Sequence, residues 1–246
     1  MIQIMNLLYF QQLVFRTIFI FACYMDIVSA NEECIPLNVL IIQKVENLGF
    51  HRDLNWFIET RDLNPDKWLN SSCNVTLKID VGKGVFVNPD QADDLKRLGK
   101  LDILINGTVD VEVPAHEGKS YSVYIYLNRT EFLRSINVKL PIHLRYQRSL
   151  LGGHGHVTLS KPQLLVHCPG SNKIICGKNT KIMAPVSSEE PNNIKVWKNV
   201  YYQGELGVME LEVPIGNLND YSYVSVITCI LGCAGCIYII SLMSAK

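Results

Sequence analysis

The sequence predicts an all-β domain, resembling a β-sandwich, followed by a single C-terminal transmembrane helix. Apolar and polar residues alternate with a period of two in many short segments, and Gly, Pro and Asn separate these segments. A long apolar run lies near each end of the chain. The 23 basic and 23 acidic residues balance to a net charge of zero, which argues against a nucleic-acid partner because such partners favour a basic surface.

The N-terminal apolar run predicts a secretory signal peptide over residues 1–30. One basic residue, Arg16, precedes the apolar residues 17–25, and Val28 and Ala30 form a site for cleavage after Ala30. The first half of this segment is also apolar, so an uncleaved signal anchor is the alternative.

Residues 31–222 form the predicted lumenal β domain. Three segments show clear alternation: TVDVEVP (108–114), YSVYIYL (121–127) and IHLRYQR (142–148). Short runs rich in β-branched and aromatic residues predict antiparallel strands when turn residues separate them. Further strand candidates are NVTLKIDV, GVFV, DILI, LLVHC, IKVWKNV and VMELEVP.

One short helix is predicted over NPDQADDLKRL (88–98). Asn88 is suited to cap the helix, Pro89 to occupy its first turn, and Asp90 to stabilise its N-terminal end. Residues 184–193 (APVSSEEPNN) predict a surface loop.

The C-terminal apolar run predicts a transmembrane helix over residues 223–243. Residues 224–243 contain no charge, and about 20 helical residues span roughly the 30 Å hydrocarbon core of a bilayer. Residues 244–246 then form a cytosolic tail, which gives a type I topology. A GPI-attachment signal also ends in an apolar tail, but the spacer and small-residue site that it requires are poorly defined here.

Four Asn-x-Ser/Thr sequons are candidate glycosylation sites. All of them lie between the two apolar ends, which favours the lumen of the secretory pathway. The sequons begin at Asn70, Asn74, Asn106 and Asn128.

Four of the eight cysteines lie in the predicted lumenal domain, where an oxidising compartment favours disulfides. Four cysteines allow three pairings, and the sequence does not choose among them. The preferred hypothesis joins Cys168 to Cys176 as a local bridge and Cys34 to Cys73 as a longer one.

The other four cysteines lie in the apolar segments. Cys23 belongs to the predicted signal peptide, and Cys229, Cys233 and Cys236 belong to the predicted span. Cys233 and Cys236 form a CxxC pattern, which often indicates zinc or redox chemistry. Within a bilayer we interpret these cysteines as small packing side chains.

Residues 141–168 hold the densest group of histidines and arginines. His154 and His156 could supply two ligands, fewer than the three or four that a zinc site needs. The glycine-rich LGGHGH segment predicts a connection between two strands, and His143 and Arg145 are expected on the polar face of a half-exposed strand. No metal site and no cofactor are predicted.

No catalytic residue is predicted either. The sequence has no Gly-x-Ser-x-Gly elbow and no P-loop. It also lacks the Asp-x-Asp pair that many glycosyltransferases use, and Asp110 with Glu112 is the nearest approach. Alternation with valines explains that pair as the solvated face of a strand, so a lumenal enzyme is a minor hypothesis.

Several segments resemble motifs of the PIG-X family and occur in the same order and at roughly the same spacing as in that family. They are LGFHRDL (48–54), GVFVNPDQ (84–91), LPIHLRYQR (140–148) and PQLLVHC (162–168), followed by CGKN, VWKN, LEVPIG and the C-terminal span. Each motif alone is weak, but the ordered set covers essentially the whole lumenal part.

This resemblance implies a non-catalytic, single-span ER membrane subunit of GPI mannosyltransferase I. Such a subunit binds and stabilises PIG-M, the multi-spanning catalytic subunit that transfers the first mannose from dolichol-phosphate-mannose to the GPI precursor. The predicted cytosolic tail is very short, which puts in doubt a signal for ER retention there. Retention in the ER by the partner complex would be enough. The alternative function, from another class, is a single-span β-sandwich cell-surface receptor or adhesion protein.

Two surfaces are candidates for contact with such a partner. One is a face of the lumenal domain, and the other is a stripe of small residues on the membrane helix, which would let a partner helix approach closely. A stripe that faces lipid is the alternative for the second surface. The candidate residues are Arg145, Tyr146 and Arg148 in the first surface and Ser225, Cys229, Gly232 and Cys236 in the second.

Overall fold

The computed structural model describes residues 34–170, 175–177, 179–204 and 207–244. The predicted signal peptide, with Cys23, lies outside the described residues. Within them the chain forms twelve β-strands, two short α-helices and one long C-terminal α-helix, which confirms the all-β prediction.

The strands form two antiparallel sheets and a two-stranded ribbon. The four-stranded sheet has the order β1 (Asn38–Glu46), β2 (His51–Arg61), β7 (Ser135–Leu144) and β4 (Val85–Phe86). The six-stranded sheet has the order β10 (Thr180–Pro185), β11 (Ile194–Val200), β9 (Gln163–His167), β3 (Asn74–Val81), β6 (Tyr121–Leu127) and β5 (Asp102–Asn106). The ribbon pairs β12 (Met209–Pro214) with β8 (His154–Leu159).

One apolar core lies between the two sheets. Trp56 and Leu140 contribute to it from the four-stranded sheet, and Leu77 and Ile125 contribute from the six-stranded sheet. All four side chains are buried, and burying a large apolar side chain stabilises a fold by about 1.5–3 kcal/mol. The period-two alternation of the sequence therefore produces sandwich-like packing. A second, smaller apolar cluster lies on the other face of the six-stranded sheet and consists of Tyr124, Leu165, Ala184 and Trp197.

The two short helices begin with the same three residues, Asn-Pro-Asp. Helix α2 (Pro89–Arg97) is capped by Asn88, whose Oδ1 accepts a hydrogen bond from the Asp90 amide at 3.0 Å, as predicted. Helix α1 (Pro65–Asn70) is capped by Asn64, whose Oδ1 accepts a hydrogen bond from the Lys67 amide at 3.0 Å. The sequence prediction missed α1 although the cap, the proline and the acidic residue were all present.

Residues 108–114 do not form the predicted strand and instead run as a loop. The Asp110 side chain accepts a hydrogen bond from the Glu112 amide at 3.0 Å, and such local bonds compete with strand pairing. Pro114 has no amide hydrogen to donate to a ladder. The alternation of valines here is therefore not matched by a partner strand.

The predicted connection LGGHGH is also partly wrong, because β8 begins at His154. A Cβ atom on Gly155 would come within 2.5 Å of the Gln147 side chain. Glycine inside this strand therefore gives room to the Gln147 side chain, and it does not mark a turn.

The C-terminal helix α3 (Tyr221–Ser244) is long and apolar enough to cross a membrane by length and composition. It contains the whole predicted span, residues 223–243. A linker, residues 215–220, joins it to β12.

The β domain has two ends, which we call poles, and one of them contacts the linker that leads into α3. The end of β7 leads into residues 149–153, which we call the clamp loop because it bonds to the linker. This end is the membrane-proximal pole. The start of β7 pairs with the end of β2, which leads through α1 to the start of β3, and the start of β3 pairs with the end of β6. These strand ends and α1 therefore lie together at the opposite pole, which we call the membrane-distal pole.

The preferred disulfide pairing is wrong. The structure joins Cys73 to Cys168 and Cys34 to Cys176. The reason is strand order: β3 and β9 are antiparallel neighbours, and Asn74 pairs with His167. Cys73 and Cys168 are the next residues outward on the two strands and therefore face each other.

We predict that disulfide mapping of the unreduced, proteolysed chain recovers peptides joined through Cys73 and Cys168. The bridge closes a sequence separation of 95 residues, so its removal in C73A/C168A lowers the free energy of unfolding by about 2–5 kcal/mol. Recovery of a Cys168–Cys176 peptide would contradict the strand order of the six-stranded sheet.

Candidate functional site

The three motifs near residues 50, 86 and 144 meet at one end of the four-stranded sheet. His51 of β2 pairs in register with His143 of β7, and Phe86 of β4 pairs with the same His143. Segments that are far apart in sequence thus form one continuous surface beside the membrane-proximal pole.

The side chains of these motifs stack into an aromatic column, defined as His51, His143, Phe86 and Arg145. The rings of His51 and His143 meet edge to face with 4.6 Å between centroids, and His143 stacks on Phe86 at 5.0 Å. The Arg145 guanidinium lies 4.7 Å from the centroid of the Phe86 ring, a cation–π contact. His51 and Phe86 were not singled out from the sequence, although both lie inside the quoted motifs.

Arg145 is not the exposed partner-contact residue that the sequence predicts. Only 3% of it is exposed, and its Nη1 donates a hydrogen bond to the Val113 carbonyl at 2.8 Å. Strand β7 ends at Leu144, so the predicted alternation does not extend to Arg145. Burial lowers the pKa of Arg145 from its ordinary value, and its contacts hold the loop of residues 108–114 against β4.

Gly118 covers the Arg145 side chain. A Cβ atom at this position would come within 2.6 Å of the Lys83 carbonyl oxygen and 3.1 Å of the Arg145 Nε. The absence of a side chain lets the loop after Val113 close over the guanidinium, so the aromatic column is enclosed at its Arg145 end.

Arg52, the next residue of the LGFHRDL motif, joins the sandwich to the ribbon. Its Nε donates to the Gly49 carbonyl at 3.0 Å, and its Nη2 donates to the carbonyl of Glu212 in β12. Because β12 leads directly into the linker, this buried arginine helps to fix the path of the chain toward α3.

Tyr146 and Arg148 lie at the surface, and their contact with a partner stays a prediction. Tyr146 is 73% exposed, although its ring contacts that of Phe50 at 4.8 Å between centroids. Leu150 and Leu151 of the clamp loop follow directly, and Leu151 is also 73% exposed. Large apolar side chains exposed in one place indicate an interaction surface.

The clamp loop binds the linker through backbone hydrogen bonds. The Leu150 amide donates to the Gly216 carbonyl at 3.2 Å, and the Leu218 amide donates to the Leu150 carbonyl at 3.1 Å. The Asn217 side chain accepts a further hydrogen bond from the Gly152 amide at 3.1 Å. The membrane-proximal pole is therefore tied to the chain that enters α3.

A helix cleft of 640 Å³ lies between the clamp loop, the linker and the first turns of α3. Ser225 and Cys229 line it, together with Ser149 and Val224. The structure thus brings two predicted contact residues of α3 beside the clamp loop. The other two, Gly232 and Cys236, follow on the same face of the helix, because their spacings of three and four residues keep them on one stripe.

Three of the four sequons lie at the membrane-distal pole. Asn74 and Asn128 flank the register pair Val75–Leu127 at the end of β3 and β6, and Asn70 ends α1. Asn106 instead ends β5, where it pairs with Ser122. Whether any of these residues carries a glycan stays a prediction.

His154 and His156 lie on the exposed face of the ribbon. His154 Nδ1 is 2.6 Å from the Glu212 carboxylate, and His156 Nδ1 is 3.4 Å from that of Glu210. In the described part of the chain, no group of three or more His, Cys, Asp or Glu residues could hold a metal ion. Both histidines pair with carboxylates across the two strands of the ribbon.

The aromatic column predicts a pH dependence of stability that depends on His143. Burial lowers the pKa of His143, and the neighbouring His51 lowers it further. The unfolded chain then binds more protons, so this contribution to stability is complete above about pH 6.5 and is lost as the pH falls toward the folded pKa. H143Q should therefore lose less stability than the wild type between about pH 7.5 and pH 5.5.

The measurement is the unfolding midpoint of the full chain in detergent at both pH values, with tryptophan fluorescence as the signal for unfolding. H116Q, which changes a loop histidine outside the column, is the matched control and should retain the wild-type decline. An H143Q decline equal to that of the wild type would show that the column does not disfavour protonation.

Comparison with known proteins identifies the family. The sequence profile of the PIG-X / PBN1 family matches residues 47–244. The chain is 26% identical over 199 residues to a protein of Rattus norvegicus named GPI alpha-1,4-mannosyltransferase I, stabilizing subunit, with 78% of this chain and 77% of the relative covered. A protein of Mus musculus with the same name is 25% identical over 199 residues, covering 78% and 76%. The profile spans the aromatic column, the clamp loop and α3, and the chain therefore belongs to the PIG-X / PBN1 family.

Proposed function

We propose that this chain is a non-catalytic ER membrane subunit that stabilises the PIG-M-type catalytic subunit of GPI mannosyltransferase I. Its role is to support the transfer of the first mannose in GPI-anchor biosynthesis. The observation that carries this proposal is the match to two relatives named as the stabilizing subunit, over more than three quarters of both chains.

The membrane-proximal pole is the surface best suited to contact a polytopic partner. Tyr146, Leu150 and Leu151 are exposed there, and the clamp loop holds them beside the first turns of α3. A multi-spanning enzyme presents lumenal loops at this height, so one partner could contact the domain and the helix together. The buried Arg145 supports this surface from within.

The stripe on α3 is the second proposed contact. A Cβ atom on Gly232 would meet no atom of the described residues within 4 Å outside its own helix backbone and chain neighbours, so a side chain at this position is not excluded by packing within the described residues. In membranes, small residues at spacings of three and four let two helices approach closely. We therefore assign Gly232 and its neighbours on the stripe to contact with a partner helix.

Stabilisation then follows from mass action. A partner that binds only the native enzyme shifts the folding equilibrium toward that state, by about 2.7 kcal/mol when its concentration is a hundred times its dissociation constant. No catalytic group is required of the stabilising subunit.

The proposed topology is type I. Residues 31–222 form the lumenal domain, residues 223–243 span the ER membrane and residues 244–246 form the cytosolic tail, after removal of a signal peptide over residues 1–30. Glycans at the membrane-distal pole would point into the lumen, away from the proposed contact surface. Glycans sensitive to endoglycosidase H would support ER residence, whereas complex glycans would favour the cell-surface receptor.

We predict that deletion of the gene for this protein lowers both the amount of the catalytic mannosyltransferase and the amount of GPI-anchored protein at the cell surface. The measurements are immunoblotting of the catalytic subunit and flow cytometry of a GPI-anchored marker. Re-expression of the full chain restores both quantities. Normal amounts of both in the deleted cells would contradict the proposal.

We predict that G232I reduces the amount of catalytic subunit that co-purifies with this protein several-fold, because a large side chain separates the two helices. The matched control is A234I, which makes the same small-to-large change on the opposite side of α3, two residues along the helix. Equal co-purification with G232I and A234I would indicate that the stripe faces lipid.

A further inference from the structure

The hairpin of β10 and β11 presents one uncovered face at the edge of the six-stranded sheet. Among the described strands, β10 is an edge strand and pairs only with β11. Residues two apart on a strand share a face, and residues opposite each other in register point to the same side. One face of the hairpin, which we call the overhang, therefore consists of Lys181, Met183, Ile194, Val196 and Lys198.

The two faces of this hairpin differ in burial. On the face opposite the overhang, Trp197 is fully buried in the smaller apolar cluster. On the overhang, Met183, Ile194 and Val196 are exposed. Among the described residues, the core between the two sheets includes Val200 of β11 but no residue of β10. The overhang therefore extends beyond the part of the six-stranded sheet that the four-stranded sheet covers, and its apolar side chains indicate an interaction surface.

Two lysines lie directly opposite each other on the overhang. The register places Lys181 of β10 against Lys198 of β11, and like charges in this position destabilise an antiparallel pair of strands. Neither side chain forms an ion pair or a hydrogen bond with another described residue. Burial lowers the pKa of Lys198, and the charge of Lys181 lowers it further. The overhang thus holds two close positive charges that the described part of the chain does not neutralise.

Protection of a sheet edge does not account for this pair of lysines. Edge strands often carry lysine because it discourages pairing with another chain, and Lys181 on β10 is placed for that role. Lys198, however, lies on β11, which has a strand on each side, β10 and β9. Its half-buried side chain adds repulsion without protecting an edge. Two cations beside exposed apolar side chains are complementary to an acidic, partly apolar ligand.

We propose that the overhang binds an acidic segment of another protein, with its carboxylates at Lys181 and Lys198 and its apolar side chains on Met183 and Val196. The charges select this occupant. A purely apolar partner would desolvate both lysines without pairing them. A second copy of this chain, packed face to face through the same surface, would bring four lysines together, because a two-fold contact uses the same patch on both subunits.

This proposal does not rest on the assignment of the catalytic subunit. The overhang shares no residue with the clamp loop or with the stripe on α3. K181Q/K198Q should therefore leave co-purification of the catalytic subunit unchanged, whereas G232I should leave binding at the overhang unchanged. The failure of either proposal is visible without the other.

The test is fluorescence anisotropy of two labelled peptides with the purified full chain in detergent. In the first peptide glutamate alternates with valine, and in the second glutamine replaces each glutamate. We expect the wild type to bind the glutamate peptide more tightly than the glutamine peptide. Because each ion pair at a protein surface contributes modestly, K181Q/K198Q should weaken binding of the glutamate peptide by roughly three- to tenfold and leave binding of the glutamine peptide unchanged.

The matched control is K195Q, compared with the single variants K181Q and K198Q. Lys195 lies on β11 between two overhang residues, but its side chain points to the opposite face, so K195Q should bind the glutamate peptide as the wild type does. Equal binding of the two peptides by the wild type, or no binding of either, would overturn the proposal. So would equal binding of the glutamate peptide by wild type and K181Q/K198Q.

Two measurements without peptide test the premise. Removal of one of two repelling charges in K181Q should leave the unfolding midpoint of the full chain unchanged or raise it. A lower midpoint would overturn the proposal, because Lys181 would then be neutralised within the chain. Sedimentation velocity tests the second copy, and a dimer that K181Q/K198Q dissociates would overturn the proposal in favour of self-association.

Discussion

The position of the β domain relative to α3 depends on the backbone hydrogen bonds between the clamp loop and the linker. Ile215 and Leu218 donate backbone hydrogen bonds to Gly153 and Leu150, and Leu150 donates one to Gly216. Gly153 has a φ of +77°, and a Cβ atom there would approach Asn217 to 3.2 Å, so the contact requires glycine. Without these bonds the linker would not be held against the domain, and the helix cleft would lose a fixed wall.

The motifs that identify the family act mainly as the support for this pole. Arg145 connects β4 with the loop at Val113, and Arg52 connects β2 with β12. Both arginines are buried and donate to backbone carbonyls, so their loss would leave those acceptors unpaired. The exposed residues that follow, such as Tyr146 and Leu151, are presented by this support.

Local patterns predicted several elements of this fold but not their partners, and β1, β2 and β10 were not among the predicted strands. Alternation located β3, β6 and β11, and the Asn-Pro-Asp cap located α2, because both signals depend on neighbouring residues only. The burial of Arg145 could not be predicted, since its acceptor Val113 lies 32 residues away. The Cys73–Cys168 bridge depends likewise on β9 lying beside β3, which no local pattern encodes. The placement of the small residues of α3 on one stripe follows from spacing alone because a helix places such residues on one face, and their contact with a partner stays a prediction.

We propose that the membrane-proximal pole, and not the rest of the domain, faces the catalytic subunit. Site-specific photo-crosslinking in intact ER membranes tests it most directly, with a photoreactive amino acid at Leu151 and, in a separate variant, at Met183. Both residues are well exposed, at 73% and 61%, but Met183 lies on β10 at the edge of the six-stranded sheet. We expect a crosslink to the catalytic subunit from Leu151 and none from Met183, and the reverse pattern would contradict this orientation.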